Sequence, residues 1–271
     1  MSKKYVATIS FGKDSTVMVD LLLKNNYPVD YIIFTDTMLE FPMMYEYKEK
    51  VIKYFKERYN KEVIVTKPKD TFEDWCFGTM QSGEMKGWTR GIPMVWAEPC
   101  YWRRESKIRP KEALEKEFLK DTEFSTYIGF TLDEANRKME KSDNPNESFL
   151  YPLIDDFKYT ELMCNWYLQD HEMENPLYKY FTRTGCSVCP AQSDKAWFQI
   201  WKHFPGTWGY MKDIERELQE LEDIGEKIKN KTWFNEFRTC EDMEKLFKKK
   251  DQQGSLFDFS DEPLKDCFCK I

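Results

Sequence analysis

The segment Ser10-Phe11-Gly12-Lys13-Asp14-Ser15 gathers two hydroxyls, one glycine, an ammonium and a carboxylate within six residues. Between a strand and a helix, such a loop turns backbone N–H groups and the positive end of a helix dipole toward an anion. Gly12 permits close backbone approach, Ser10 and Ser15 add donors, and Lys13 could follow the charge of a departing pyrophosphate. The GxxxxGK spacing of a Walker A loop is missing, so a phosphate would be held in a different frame. An ordinary βα turn capped by Asp14 or Ser15 would use the same residues, and spacing alone leaves the two readings level.

Sulfur is the second reactive set. Cys186 and Cys189 form a CxxC between Gly185 and Pro190, a tight turn from which two thiolates can meet one metal. Cys267 and Cys269 add a CxC, and Cys100 is a fifth candidate. Four thiolates suffice for tetrahedral zinc or for a four-iron cluster, so ligand count leaves both open. With only two histidines in the sequence, a His-rich zinc site is excluded. Cys76, Cys164 and Cys240 suit small buried hydrophobes. The apolar run after Lys3 and Lys4 stops at Gly12-Lys13-Asp14, and no run approaches the roughly 18 apolar residues of a spanning helix. Eight cysteines on those terms point to a reducing, cytoplasmic setting with no membrane anchor.

The elements that must position these groups follow from periodicity. Tyr5–Ser10 reads as a strand entering the loop, and Val17, Met18, Leu21 and Leu22 share one face of the helix after it. Tyr31–Phe34 and Val63–Thr66 read as further strands around a helix over Met43–Tyr59. A helix over Ser106–Leu119 leads to a strand over Thr126–Phe130, and Phe149–Ile154 reads as the last strand. Thr160–Gln169 is a helix, and aromatic-rich helices follow the cysteine turn. Strands alternating with helices imply an α/β fold, a parallel sheet flanked by helices with right-handed crossovers. The expected organisation is an α/β nucleotide-binding domain over residues 1–190 and a small helical, Cys-bearing lobe over 191–271, its CxC tail packing on the CxxC turn. Glycines and tryptophans between Pro68 and Pro99 suggest an ordered loop against the sheet.

With 271 residues, 41% hydrophobic and 16% aromatic, the chain has enough apolar surface for a real core. Lys and Arg total 41 against 48 for Asp and Glu, a net charge of −7, so indiscriminate attraction to nucleic acid or anionic membrane is not its main business. Any phosphate must meet a local site.

Several blocks carry a resemblance when taken in order. Ser10–Ser15 resembles the SGGxDS pyrophosphate loop of the adenine-nucleotide α-hydrolase (PP-loop) superfamily, with Phe11 in place of one glycine. Phe34-Thr35-Asp36-Thr37-Met38-Leu39-Glu40-Phe41-Pro42 is similar to the DTGxEFP stretch of the phosphoadenosine phosphosulfate (PAPS) reductase family. The segment from Tyr127 through Gly129 and Glu134 to Arg137 resembles that family's G-x₃-(D/E)E-x₂-R block. Pro152–Asp156, Asn175–Tyr178 and Arg183–Pro190 match three more blocks, so the resemblance spans residues 5 to about 195.

The resemblance implies an adenine nucleotide, ATP or PAPS, with its phosphates over Ser10–Ser15. Asp36, Thr37 and Glu40 would lie near the ribose or metal end, Gly129 would line the cleft, and Arg137 would reach a phosphate or sulfate. Magnesium could accompany ATP. Arg103, Arg104 and Lys107 are weaker anion-binding candidates. Asp36 as a helix cap and Arg137 as a partner of Glu134 are the plainer alternatives. Cys100 sits where iron–sulfur members place a cluster ligand, although Tyr101 stands where a second adjacent Cys is usual. A four-iron cluster on Cys100, Cys186, Cys189, Cys267 and Cys269 is thus the first expectation, with zinc as the alternative and Cys100 then left as a possible sulfur carrier.

Three functions are weighed. The first is an enzyme that cleaves ATP between the α and β phosphates and adenylates an acceptor for sulfur transfer, with Lys13, Asp14 and Cys100 as the catalytic candidates. The acceptor could be tRNA, DNA or a small molecule. The second is a PAPS reductase or a reductase of its unphosphorylated analogue, although the tail Asp266-Cys267-Phe268-Cys269 departs from that family's ECGxH-like ending. The third is a non-catalytic, metal-stapled nucleotide- or nucleic-acid-binding module, in which Trp197, Trp201, Lys202 and Trp208 could stack on and contact a strand.

Overall fold

A computed structural model describes residues 2–95 and 99–252. In chain order the elements are β1 (Lys4–Thr8), α1 (Lys13–Lys24), β2 (Tyr31–Thr35), α2 (Pro42–Tyr59), β3 (Val63–Thr66), α3 (Phe72–Phe77), α4 (Tyr101–Arg103), a π-helical turn (Arg104–Ile108), α5 (Arg109–Phe118), β4 (Phe124–Tyr127), β5 (Glu147–Leu150), α6 (Pro152–Asp155), α7 (Glu161–Asp170), α8 (Asp194–His203), α9 (Pro205–Asp223) and α10 (Cys240–Gln252), with short 3₁₀ turns between some of them. None of the described helices is long and apolar enough to cross a membrane.

The chain divides into two compact units, one of residues up to Lys67 with Ser106–Thr184, the other of Pro68–Glu105 with the segment from Gly185 onward. The division differs from the expected one at residues 68–105 and 185–190. The reason lies in backbone pairing: Thr89 bridges Thr79 and Ile228, and Ile92 donates its N–H to the Asn230 carbonyl. At Gly91, with φ of +67°, a Cβ would run into the Asn230 backbone, so only glycine fits that junction.

The first unit is a five-stranded, all-parallel sheet in the order β3-β2-β1-β4-β5, which gives the α/β architecture expected. Ala7 of the central strand pairs with Ile32 on one side and Tyr127 on the other. Strands so enclosed are apolar on both faces, as Val6, Ala7, Ile32, Ile33 and Phe34 are. Val6, Ile33, Leu114, Leu119 and Phe124 form one core cluster, and Ile128, Phe130, Tyr151 and Ile154 another.

Three expected boundaries move. β4 spans Phe124–Tyr127, which releases residues 128–130 into the loop after it. The segment expected as a strand over Phe149–Ile154 is strand only to Leu150, because Pro152 lacks a donor and opens α6 at its first turn. The helix expected from Ser106 starts as a π turn, with α5 proper beginning at Arg109 and carrying Pro110 in its first turn.

The second unit has an aromatic core. Phe72 stacks on Trp233 and meets Trp102 edge-on, while Trp197 and Trp208 both contact Phe234. Trp197 and Trp208 are buried core residues, Lys202 is paired with Asp251, and Trp201 is half-buried against Phe198 and Phe247, so Trp197 and Trp208 are not the stacking surface expected.

Candidate functional site

From β1 the chain reaches β2 on one side and, later, β4 on the other, so the loops leaving β1 and β4 diverge at the carboxyl edge of the sheet, the place where open α/β sheets bind ligands. The first of these loops is Ile9–Gly12. Ser15 Oγ accepts the Ser10 N–H at 3.1 Å, and the two serine hydroxyls lie 3.0 Å apart. The Lys13 N–H donates to the Tyr178 hydroxyl at 3.0 Å, and Asn175 Nδ2 donates to the Phe11 carbonyl. Phe11 adopts φ of +55°, a conformation suited to the glycine of the motif. The left-handed region costs a non-glycine residue roughly 1–2 kcal/mol, and burial of its ring, edge-on to Phe34, offsets this by about 1.5–3 kcal/mol. The loop therefore keeps its shape without the glycine.

The loop after β4 closes against it. A Cβ on Gly129 would lie 3.0 Å from Ser15 Cα, so Gly129 brings that loop onto the start of α1. Thr131 then starts the 3₁₀ turn Leu132–Arg137, which carries Glu134, and the N-terminus of α7 carries Glu161. One carboxylate oxygen each from Asp14, Glu134 and Glu161 lies within 4.8 Å of the others. Lys13 Nζ pairs with Glu161 at 2.6 Å and lies 5.5 Å from the Tyr178 ring centroid. Burial lowers the affinity of Lys13 for its proton, but the bond to Glu161 and the charges of Asp14 and Glu161 outweigh it and hold the ammonium above its usual range. Arg137 donates to Glu134 and lies over the Phe130 ring, the plainer of its two expected placements.

Cys164, from the first turns of α7, sits beside Asp14, where burial pushes its thiol up and the Asp14 charge adds to the effect. Three carboxylates and two cations sum to a formal charge of −1. At about 5 Å and an effective dielectric near 20, each carboxylate pair repels by on the order of 3 kcal/mol. A divalent cation ligated by oxygen fits that donor set.

Asp36, Thr37 and Glu40 form a second cluster at the end of β2. Asp36 Oδ1 accepts from the Met38 N–H at 2.8 Å and from the Tyr45 hydroxyl at 3.0 Å, and Thr37 donates to Glu40 at 2.9 Å. Burial raises the Glu40 carboxyl above its ordinary value, with the Lys107 charge pulling it back.

Glu134, Glu161, Cys164 and Tyr178 escaped the sequence reading as site residues, Glu134 entering it only as the partner of Arg137. Glu161 reads as a first-turn acid complementing a helix dipole, and Tyr178 gives no polar signal inside an apolar block. The Asn175–Tyr178 block was the available hint.

The three candidate ligand thiols among the described residues, Cys100, Cys186 and Cys189, belong to the second unit. Cys100 precedes α4, and the Cys189 N–H donates to the Cys186 carbonyl at 3.1 Å, which makes the tight turn expected. All three are half-buried, whereas Cys76, Cys164 and Cys240 are buried, as small hydrophobes are. Asp14, Glu134 and Glu161 are the only three metal-ligating side chains gathered within 4.8 Å among the described residues, so Cys100, Cys186 and Cys189 are not drawn together at that spacing. Cys267 and Cys269 lie outside the described residues. Arg103 and Arg104 fall in the second unit and Lys107 in the first.

Residues 4–192 match the model of the phosphoadenosine phosphosulfate reductase domain. Two uncharacterized proteins of Methanocaldococcus jannaschii are 26% identical over 82% of this chain and 27% identical over 86% of it. The chain spans 50% and 46% of their lengths, about half of each. A solved structure of phosphoadenylyl-sulfate reductase from Candida auris, a phosphate complex, is similar at 19% identity with a TM-score of 0.49, over 69% of this chain and 82% of that one. With the family model covering well over half of its length, the chain belongs to the phosphoadenosine phosphosulfate reductase domain family.

Proposed function

We propose that the groups around the start of α1 bind ATP together with a divalent cation and cleave it between the α and β phosphates, adenylating an acceptor oxygen so that sulfur or another nucleophile then attacks the carbon bearing it and displaces AMP. The observation that carries this reading is the crowding of Asp14, Glu134 and Glu161 around Lys13. A bare phosphosulfate entering a place of formal charge −1 is repelled. A divalent cation shared between carboxylates and phosphate oxygens turns that repulsion into attraction. Magnesium bound there would neutralise charge on the phosphates. The chain's own groups do the rest: the Ser10 and Ser15 hydroxyls and the helix N-terminus take the charge that develops on pyrophosphate, and Lys13, released from Glu161, follows it. Attack by the acceptor oxygen on the α phosphorus breaks the bond to the bridging oxygen, which leaves with its electron pair as pyrophosphate.

Incubation with ATP and magnesium should release pyrophosphate once a sulfur nucleophile and an acceptor are supplied, and sulfite should not form from PAPS with thiols. Sulfite release with no use of ATP would replace this reading with a reductase.

A thiolate-bound centre, iron–sulfur first and zinc second, on Cys186, Cys189, Cys100 and the pair Cys267 and Cys269 belongs to the same proposal. Anaerobic purification should give a brown protein absorbing broadly near about 400 nm. A colourless protein with one zinc would select the alternative, and metal-free protein with every thiol reactive would remove both.

A further inference from the structure

A platform on the second unit takes no part in the proposed reaction. Thr89 bridges Thr79 in antiparallel fashion and Ile228 in parallel fashion, so three short extended segments lie side by side. The Thr89 N–H donates to the Lys227 carbonyl at 2.8 Å and the Lys229 N–H to the Thr89 carbonyl at 3.0 Å. Side chains alternate across such a ribbon. Thr89 is buried. Its neighbours Trp88 and Arg90, with Lys227 and Lys229 beside Ile228, therefore share the opposite face. The contacts agree, because Lys227 Nζ lies 5.6 Å from the Trp88 ring centroid, Lys229 Nζ 5.3 Å from that of Tyr101, and the Arg90 guanidinium 6.0 Å from that of Trp75. A Cβ on Gly78 would run into the Arg90 guanidinium and lie 2.8 Å from the Asp74 carbonyl, so glycine there leaves room for Arg90. Tyr101 is 46% exposed.

We propose that this ribbon face binds single-stranded nucleic acid, with bases on the Trp88 and Tyr101 rings and phosphates on Lys227 and Lys229. Rings alternating with cations suit a strand whose bases are unstacked, because every base offers a π face and every step a phosphate. A duplex hides those faces. An acidic protein would use the cations and leave the rings idle. The lysine stems are flexible enough to swing from ring to phosphate as a base arrives. With a net charge of −7 on the whole chain, attraction must come from this local row rather than from the overall field. The inference does not rest on the nucleotide site and can fail or hold separately from it.

The test uses the full chain and fluorescein-labelled dT20, U20 and a 20-base-pair duplex in anisotropy titrations, with polyglutamate as competitor. Single strands should bind at least tenfold more tightly than the duplex, with a salt slope of about −1.5 to −2 for two or three phosphates. Lys227→Glu with Lys229→Glu should weaken binding at least tenfold, and Trp88→Ala about fivefold. Tyr101→Ala, on an exposed ring, repeats the stacking test should Trp88→Ala fail to fold. No binding by the wild type, equal binding of duplex, displacement by polyglutamate as effective as by unlabelled dT20, or folded variants with unchanged affinity would each overturn the proposal.

Discussion

Two buried aspartates on one helix, Asp14 and Asp20, are held in opposite ways. Asp20 is fully buried, and its two oxygens accept the hydroxyls of Tyr59, at 2.8 Å, and Tyr167. Neutral donors from α2 and α7 thus satisfy the carboxylate and tie three helices together. Asp14, six residues earlier, lies among Glu134, Glu161 and Lys13 instead. A fold that needed only stability would not gather like charges at the carboxyl edge of its sheet, where repulsion of a few kcal/mol per pair works against it. The difference separates a carboxylate that serves the fold from one that serves a ligand.

The sharpest way to break this contrast is Lys13→Met. It removes the charge assigned to the departing pyrophosphate, so pyrophosphate release should fall about 100-fold or more. Retained turnover in a steady-state assay would show that Lys13 is only the partner of Glu161. Asp20→Ala should do the reverse. Losing two hydrogen bonds to a buried carboxylate should cost about 3 kcal/mol in urea unfolding, with ATP affinity changed less than twofold. A large loss of affinity in the folded variant would erase the distinction between the two aspartates.

The sequence carried much of this. The alternation of strands and helices, the loop at Ser10–Ser15 and the span of α2 were readable because apolar periodicity is local. Three things were not. Glu134 and Glu161 lie 27 residues apart in sequence, and only the packing of α7 and the Leu132–Arg137 turn brings their oxygens within reach of Asp14. Phe11 in a glycine position reads as a departure from the motif, although its backbone conformation conforms to it. Residues 68–105 carry no periodicity that reveals their pairing with Ile228, since a single bridged residue leaves no pattern.

Glu161→Gln offers a finer test. Removing one carboxylate should weaken manganese binding by on the order of tenfold, given how ligand charge sets affinity for hard cations. Isothermal titration with manganese alone checks it, and unchanged affinity would move the cation elsewhere.

The smallest effect belongs to a third carboxylate, Glu215 in the second unit, which accepts the Cys240 N–H at 2.7 Å and the Trp233 N–H at 3.3 Å. Burial pushes it up to about 7, and those N–H bonds only moderate the rise. Unfolding returns it to an ordinary carboxyl, so between about pH 4.5 and 7 the folded form holds more protons than the unfolded one. Its contribution to stability should therefore fall as pH rises through that window and level off above it. Denaturation midpoints of the wild type and Glu215→Gln across pH 4.5–8 compare the two, and the difference should flatten in the variant's favour at the upper end. Parallel profiles would show that Glu215 titrates alike in both states.

The most direct measurement is calorimetric titration of the protein with ATP, with and without magnesium, and with PAPS without metal, repeated on Asp14→Asn. The account predicts that ATP binds at least tenfold more tightly with magnesium, that this gain collapses in Asp14→Asn, and that metal-free PAPS binds weakly. Tight, metal-independent binding of PAPS, left intact by Asp14→Asn, would contradict it.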